Sequence, residues 1–217
     1  MLKNIKGAIF DMDGTLIDSM WMWENIDENY LARKKLTVPP ILKSDIAHMN
    51  FYETAEYFKN KFNIPDSIEE IQKEWYDMAI YEYSHNISLK PGAKEFLLLL
   101  KEKGIKIALA TSNYREITNV CLKKNKIYNL FDSIITGDEV SKSKAFPDIY
   151  ICAAQKLNLN SKDCVVFEDV LCAVKGAKSA GMTVIGVHDL YSEYQWNEII
   201  DYSDMHISNY NELMETI

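Results

Sequence analysis

Two aspartates one residue apart, directly after a short apolar run, constrain this chain more than any other feature of its sequence. The run at residues 8–10 is Ala-Ile-Phe, and Asp11, Asp13 and Gly14 follow it. A short apolar run that ends in such a turn is typical of a buried strand. In open α/β sheets the ligand crevice lies at the carboxyl ends of the strands. Because residues i and i+2 of a strand share a side, we expect both carboxylates to face one site.

Two carboxylates held this close repel each other unless a cation lies between them or one of them takes a proton. We therefore interpret the segment as a site for a hard divalent cation and for acid–base or nucleophilic chemistry. A calcium loop is a poor match, because its glycine stands at the sixth position and Gly14 comes earlier. A plain turn with solvated aspartates is the alternative on this segment alone.

The rest of the chain divides into a helical stretch and an alternation of strands and helices. Residues 18–87 show helical spacing, many aromatic side chains and no intervening strand, and Ser19 is expected to cap the first helix. The later alternation favours a parallel sheet covered on both faces. We predict an α/β fold with a Rossmann-like three-layer core and a mainly parallel sheet. Residues 1–17 and 88–217 form this core, and 18–87 form an all-helical cap inserted after the first strand.

Charge and composition exclude several classes of partner. A net charge of -8 without a cluster of five basic residues argues against nucleic acid. No apolar run is long enough to cross a bilayer, and the amino terminus does not have the pattern of a signal peptide. The four cysteines form no Cys-x-x-Cys pair, which favours buried thiols. We expect a cytoplasmic protein, a monomer or weak homodimer, that binds neither nucleic acid nor membrane.

Polar residues follow two further predicted strands. Thr111, Ser112 and Asn113 come after one of them, and their hydroxyl and amide groups beside a helix N-terminus are suited to bind an anion. A helix cap is the alternative function for these three residues. Glu168 and Asp169 come directly after a buried strand, which suggests metal ligation. The alternative there is a helix N-cap by Asp169.

Lys144 lies in a loop before another predicted helix, where a lone lysine is usually solvated. Its place in the order of the motifs gives it more weight. The sequence Asp-Met-Asp-Gly-Thr at residues 11–15, then a strand ending in Thr-Ser, then a lysine, then an acidic pair, resembles the haloacid dehalogenase-like superfamily. The resemblance covers essentially the whole chain, and the segments 144–150 and 167–169 strengthen it. It is closest to the subgroup with a helical cap after the first strand, which includes phosphatases and β-phosphoglucomutases.

This resemblance implies a role for each motif residue. Asp11 would be the nucleophile that forms an aspartyl phosphate, and Asp13 would protonate the leaving oxygen and then activate water. Mg²⁺ would be held by Asp11, the backbone carbonyl of Asp13 and Asp169, with Glu168 in support. The residues expected to bind the phosphate and the substrate are Thr111, Ser112, Asn113 and Lys144. Ala145 and Val170 depart from the proline and serine that are common in the subgroup, and neither removes a catalytic group.

Substrate choice belongs to the cap, whose aromatic side chains mostly form its own core. Trp23 and Phe51 are the candidates for the pocket wall. By resemblance they lie near positions where hexose phosphomutases carry a histidine and an arginine that bind the sugar phosphate. Neither basic group is present here, and a mutase must hold a second phosphate. This difference favours hydrolysis of a monophosphate.

We therefore expect a magnesium-dependent phosphatase that acts on a small phosphorylated metabolite. The alternative enzyme is a phosphosugar mutase in which Lys34, Lys35 or Lys43 replaces the missing cation. A further alternative is a phospho-accepting domain without enzymatic turnover, which the presence of Asp13 and of the cap disfavours.

Overall fold

The computed structural model describes residues 4–46 and 49–216 of the chain. The strands along the chain are β1 (Gly7–Phe10), β2 (Ile17–Asp18), β3 (Ser88–Leu89), β4 (Lys106–Ala110), β5 (Ser133–Ile135), β6 (Cys164–Glu168), β7 (Thr183–Val187) and β8 (Met205–Ile207). Six of them form one sheet in the order β5-β4-β1-β6-β7-β8, and each neighbouring pair is parallel. The other two, β2 and β3, pair antiparallel.

The helices are α1 (Met20–Arg33), α2 (Leu42–Ile46), α3 (Phe51–Phe62), α4 (Ile68–His85), α5 (Ala93–Glu102), α6 (Arg115–Lys124), α7 (Asp148–Lys156), α8 (Leu171–Ser179) and α9 (Trp196–Tyr202). The first four lie between β2 and β3, with no strand among the described residues there. The predicted fold class is confirmed. We propose that the stretch 18–87 acts as a cap. No helix within 4–46 and 49–216 is both long and apolar enough to cross a membrane.

The central strand β1 is buried on both faces, as a parallel sheet between two helical layers requires. Ala8 and Phe10 belong to the hydrophobic cluster on one face, and Ile9 belongs to the cluster on the other. The ring of Phe10 stacks on that of Phe167 in β6, with centroids 4.4 Å apart. Because successive side chains of a strand alternate between faces, three consecutive apolar residues fill both layers.

The chain after β7 differs from the prediction. A 3₁₀ segment (Leu190–Gln195) and α9 lie there, and the sequence analysis predicted neither of them. In α9 only Ile199 is buried among its seven residues. Trp196, Ile199 and Ile200 do lie at helical spacing, but a pattern this short does not distinguish a helix from a loop. After β8 the described chain has a short 3₁₀ segment at Tyr210–Leu213.

A buried ion pair joins the segment after β3 to the loop after β7. Lys90 Nζ donates to Asp189 Oδ2 at 2.8 Å and to the carbonyl oxygen of His188 at 2.8 Å. The backbone N–H of Lys90 donates to the carbonyl oxygen of Leu16. The side chains of the pair are 9% and 5% exposed, so water screens the charges little. This pair fixes the point where the chain returns from the helical stretch to the sheet.

We predict that Lys90→Met lowers the free energy of unfolding by about 3 kcal/mol, because it leaves the Asp189 carboxylate buried without its partner. Urea denaturation measures this loss. The matched control is Lys101→Met, which removes an ion pair with Asp132 of the same 2.8 Å length but with both side chains 36% exposed. The control should lose less than about 1 kcal/mol. Equal losses in the two variants would contradict the importance of burial.

Candidate active site

The candidate site lies at the carboxyl edge of the sheet, where three adjacent strands end. Asp11 follows β1, Thr111 follows β4 and Asp169 follows β6. The chain leaves β1 for β4 on one side and later reaches β6 on its other side, which makes β1 the topological switch point. The backbone N–H of Asp11 donates to the carbonyl oxygen of Phe167 at 3.1 Å, so the first residue of the site is still held by the sheet.

Three buried carboxylates and one buried lysine form the centre of the site. Oxygens of Asp11, Glu168 and Asp169 all lie within 4.8 Å of one another. Lys144 Nζ donates to Asp11 Oδ1 and, at 2.7 Å, to Glu168 Oε1, which also accepts from the Tyr150 hydroxyl at 2.7 Å. One ammonium group does not balance three carboxylates. The oxygen donors and the excess negative charge fit a hard divalent cation such as Mg²⁺.

The crowding of carboxylates changes the pKa values within this cluster. Burial, with Asp11 and Glu168 nearby, raises the pKa of Asp169 well above its usual range. Burial and Asp11 raise the pKa of Glu168 to about 7, although Lys144 opposes the shift. Burial lowers the pKa of Lys144, but Asp11 and Glu168 outweigh it and the net shift is upward. The two carboxylates thus favour the charged form of Lys144, and additional positive charge would favour the ionised carboxylates.

Asp169 is oriented towards the cluster by hydroxyl donors on two sides. Thr15 Oγ1 donates to its Oδ1 at 3.0 Å, and Ser192 Oγ donates to its Oδ2 at 3.3 Å. The N-cap residue of α8 is Val170, without a side-chain hydrogen bond. Asp169 therefore does not act as the helix cap that was the alternative to metal ligation.

Two glycines allow the backbone to approach the site closely. Gly14 has φ +80, and a Cβ at this position would overlap the carboxylate of Asp169. Gly176 lies in α8, and a Cβ there would overlap the carbonyl oxygen of Lys144. The first glycine leaves room for Asp169 beside the 11–15 motif, and the second lets α8 pack against the loop that carries Lys144.

Asp13 has partners that differ from those of Asp11. Ser19 Oγ donates to its Oδ1 at 2.6 Å, Asn113 Nδ2 donates to its Oδ2 at 2.8 Å, and the Tyr83 hydroxyl also donates to Oδ1. Burial and the charge of Asp11 raise the pKa of Asp13, and the three donors partly offset this shift. The structure thus places Asp13 beside the cluster but within a separate hydrogen-bond network.

The expectation that the Ser19 side chain caps the first helix is wrong. Ser19 occupies the N-cap position of α1, but its side chain accepts no hydrogen bond from the helix. Its φ of -123 and ψ of -12 differ from the extended conformation usual at an N-cap. The hydroxyl donates to Asp13 Oδ1, and in this backbone conformation its oxygen accepts no hydrogen bond from the first turn of α1.

The residues predicted to bind phosphate line one cavity with Asp11. The cavity has a volume of about 500 Å³, and Thr111, Ser112, Asn113 and Lys144 are part of its wall. The N-cap residue of α6 is Tyr114, without a side-chain hydrogen bond, so the cap alternative for this segment does not hold. The Nδ2 group of Asn113 donates a hydrogen bond to Asp13. Its Oδ1 is buried and accepts no hydrogen bond from the described residues.

The helical stretch closes the cavity on the opposite side. Trp23 and Phe51 both line it, with ring centroids 5.9 Å apart, and Trp75 contributes to the same wall. That Trp23 and Phe51 select the substrate stays a prediction. The hydroxyl of Tyr83 was missed by the sequence analysis, because Tyr83 lies four residues after Ala79 on the buried face of α4, where an aromatic ring is expected in the core.

Comparison with known families and curated proteins identifies relatives that cover most of the chain. The family model for haloacid dehalogenase-like hydrolases matches residues 8–187. A phosphorylated carbohydrates phosphatase of Thermotoga maritima is 30% identical over 189 residues, covering 82% of each chain. Hexitol phosphatase B of Escherichia coli K12 is 29% identical over 196 residues, covering 85% of this chain and 84% of the relative.

Solved structures share the same fold. CbbY from Rhodobacter sphaeroides, in complex with phosphate, superposes with a TM-score of 0.86 at 23% identity, covering 97% of this chain and 96% of that chain. A putative β-phosphoglucomutase from Thermotoga maritima superposes with a TM-score of 0.75 at 28% identity, covering 98% of this chain and 100% of that chain. The parallel sheet and the helical stretch therefore occur together in these related chains.

We predict that Gly14→Ala abolishes the stabilisation that magnesium chloride gives the wild-type protein in thermal unfolding, because the new Cβ displaces the Asp169 carboxylate. A cation that binds only the folded state raises the melting temperature, and the rise disappears when its ligand moves away. Thermal unfolding with and without the cation measures the effect.

Gly104→Ala is the matched control for this prediction. Gly104 has φ +72, and a Cβ there would have no atom within 4 Å. Both variants lose about 1 kcal/mol from the left-handed backbone conformation, but only Gly14→Ala should lose the response to the cation. A Gly14→Ala protein that magnesium still stabilises would refute this account of the site.

Proposed function

The chain belongs to the haloacid dehalogenase-like hydrolases, and on that premise we propose that it hydrolyses a small organic phosphate through a phosphorylated Asp11. Its relatives in this family are named phosphatases, so the chain is a phosphoric monoester hydrolase. The observation that carries the proposal is the convergence of Asp11, Lys144, Glu168 and Asp169 at the switch point of the sheet.

Mg²⁺ fits the donors at this point. The carboxylates of Asp11 and Asp169 and the backbone carbonyl of Asp13 would hold it, with Glu168 in support. When bound, the ion would neutralise negative charge on the carboxylates and on the transferring phosphoryl group. The raised pKa values of Asp169 and Glu168 support this assignment, because the cluster lacks positive charge.

The proposed reaction has two steps. A carboxylate oxygen of Asp11 forms a bond to phosphorus while the bond to the leaving oxygen breaks, and Asp13 gives its proton to that oxygen. Water then attacks the phosphorus, Asp13 takes a proton from it, and the bond to Asp11 breaks. Lys144 and Thr111 hold the phosphoryl oxygens throughout.

The proton of Asp13 is exchanged at Oδ2. Oδ1 accepts hydrogen bonds from Ser19 and Tyr83, whereas Oδ2 accepts one, from Asn113. A carboxylate oxygen accepts about two hydrogen bonds, so Oδ1 is saturated and Oδ2 retains one free position.

The cavity favours a substrate with one phosphate and an uncharged, hydroxylated leaving group. Glu24, Asp27 and Glu28 of α1 are part of its wall. Burial, with Glu24 and Glu28 nearby, raises the pKa of Asp27 to about 7. Carboxylates accept hydrogen bonds from hydroxyl groups and repel a second phosphate. The names of the relatives, which include phosphatases of phosphorylated carbohydrates, glycerol-3-phosphate and hexitol phosphates, support the same substrate class.

A phosphosugar mutase is the second candidate, and one lysine favours it. Of the three lysines considered from the sequence, Lys43 lines the cavity, Lys34 is bound to Asp66, and Lys35 is exposed. Lys43 Nζ also lies 3.4 Å from a Glu24 oxygen. The negative charge of Glu24 weakens the attraction of Lys43 for a second phosphate. Release of phosphate from a panel of sugar and polyol phosphates supports the hydrolase, and formation of an isomer without release supports the mutase.

We predict that Asp11→Asn lowers phosphate release by at least about 10³-fold, because an amide does not form the phosphoenzyme. The assay uses the best substrate of the panel with magnesium, and chelation of the metal should abolish wild-type activity. Asp18→Asn is the matched control, since Asp18 is an exposed aspartate near the same motif. Retained activity in Asp11→Asn would contradict the nucleophile assignment, whereas Asp18→Asn should remain within about twofold of wild type.

A further inference from the structure

The Tyr83 hydroxyl joins the helical stretch to the acid–base residue of the core. Tyr83 lies near the end of α4 and is fully buried. Its hydroxyl donates to Asp13 Oδ1, 70 residues away in sequence. Trp23 Nε1, from α1, donates to the same hydroxyl oxygen at 2.9 Å, and Asn113 Nδ2 donates to it at 3.0 Å.

These contacts determine the direction of the Tyr83 proton. A phenolic oxygen has one proton to donate and two lone pairs that accept. The indole N–H of Trp23 and the Nδ2 amino group of Asn113 can only donate, so together they occupy both lone pairs. The proton of the Tyr83 hydroxyl is thereby directed to Asp13.

The same network fixes both oxygens of Asp13. Asn113 Nδ2 donates one hydrogen to Asp13 Oδ2 and the other to the Tyr83 oxygen, so the amide is held between the two residues. Tyr83 and Ser19 fill the acceptor positions of Oδ1. The rotation of the carboxylate therefore depends on a residue of the helical stretch.

We propose that Tyr83 is the positioning residue through which the helical stretch orients Asp13 for proton transfer to and from the substrate. The inference rests on the proposed phosphatase function and adds a group that does not contact the phosphate. Trp23 lines the cavity and is hydrogen-bonded to Tyr83. Trp23 in the cavity wall is thus connected through Tyr83 to Asp13, the acid that would protonate the leaving group.

The test is Tyr83→Phe, which removes the hydroxyl and keeps the ring that packs in the helical stretch. For the best alkyl phosphate of the panel, kcat should fall about 10- to 100-fold, because general acid–base catalysis contributes about 10²- to 10⁴-fold. KM should stay within about twofold, since the groups that bind the phosphate are unchanged.

A comparison of leaving groups separates positioning of the acid from general damage. The nitrophenolate of p-nitrophenyl phosphate leaves without a proton, so its first turnover does not need Asp13. In Tyr83→Phe, release of nitrophenolate in the first turnover should stay within about twofold of wild type, while alkyl phosphate hydrolysis is slowed. Retention of that first turnover also shows that the variant is folded and that Asp11 is reactive.

Tyr57→Phe is the matched control, because the Tyr57 hydroxyl donates to the Asp45 carboxylate at 2.5 Å within the same helical stretch. It removes a tyrosine–carboxylate hydrogen bond without touching Asp13 and should leave both substrates unaffected. Equal slowing of both substrates in Tyr83→Phe, or no slowing of either, overturns the inference while the phosphatase proposal stands. A wild-type protein that releases phosphate from no ester overturns both.

Discussion

The ammonium group of Lys144 is buried between Asp11 and Glu168, and a third carboxylate, that of Asp169, lies in the same cluster. Burial of charge costs several kcal/mol for each ion unless an opposite charge compensates it. One lysine compensates part of this charge, and the remainder favours binding of a cation. On the proposed mechanism this matters for Asp11, because bound positive charge favours the ionised carboxylate that would attack phosphorus.

The part of the site that follows the strands could be predicted from sequence because parallel strands end at one edge. Asp11 and Thr111 come directly after apolar runs, and Asp169 follows a third run after Glu168. The three strands that contain these runs are neighbours in the sheet. The positions of these residues at the ends of the strands were therefore sufficient to predict that their side chains lie close together. Lys144 was different, since it lies nine positions after Ile135, the last residue of β5, and only the resemblance of its segment to a family motif identified it.

Contacts that depend on how the helical stretch packs could not be predicted. Tyr83 and Asp13 are 70 residues apart, and Lys90 and Asp189 are 99 apart. The pattern of α4 places the Tyr83 ring on a buried face, but the pattern gives no information about the partner of its hydroxyl. Likewise, α9 has Ile199 as its one buried residue, and its seven residues are too few for their apolar spacing to identify a helix. In each case the missing information is tertiary, because the local sequence is compatible with an ordinary core residue or a loop.

The two aspartates of the first motif are controlled by different parts of the fold. Asp11 is held by Lys144 and by the sheet, both in the α/β core. Asp13 accepts hydrogen bonds from Ser19 and Tyr83, at the edge of and within the helical stretch. On the proposed mechanism, the nucleophile Asp11 is therefore held by the core alone, whereas the orientation of the acid Asp13 also depends on contacts from the helical stretch. Since Trp23 and Phe51 of the same stretch line the cavity, the proposed mechanism links the placement of the proton to the enclosure of the leaving group.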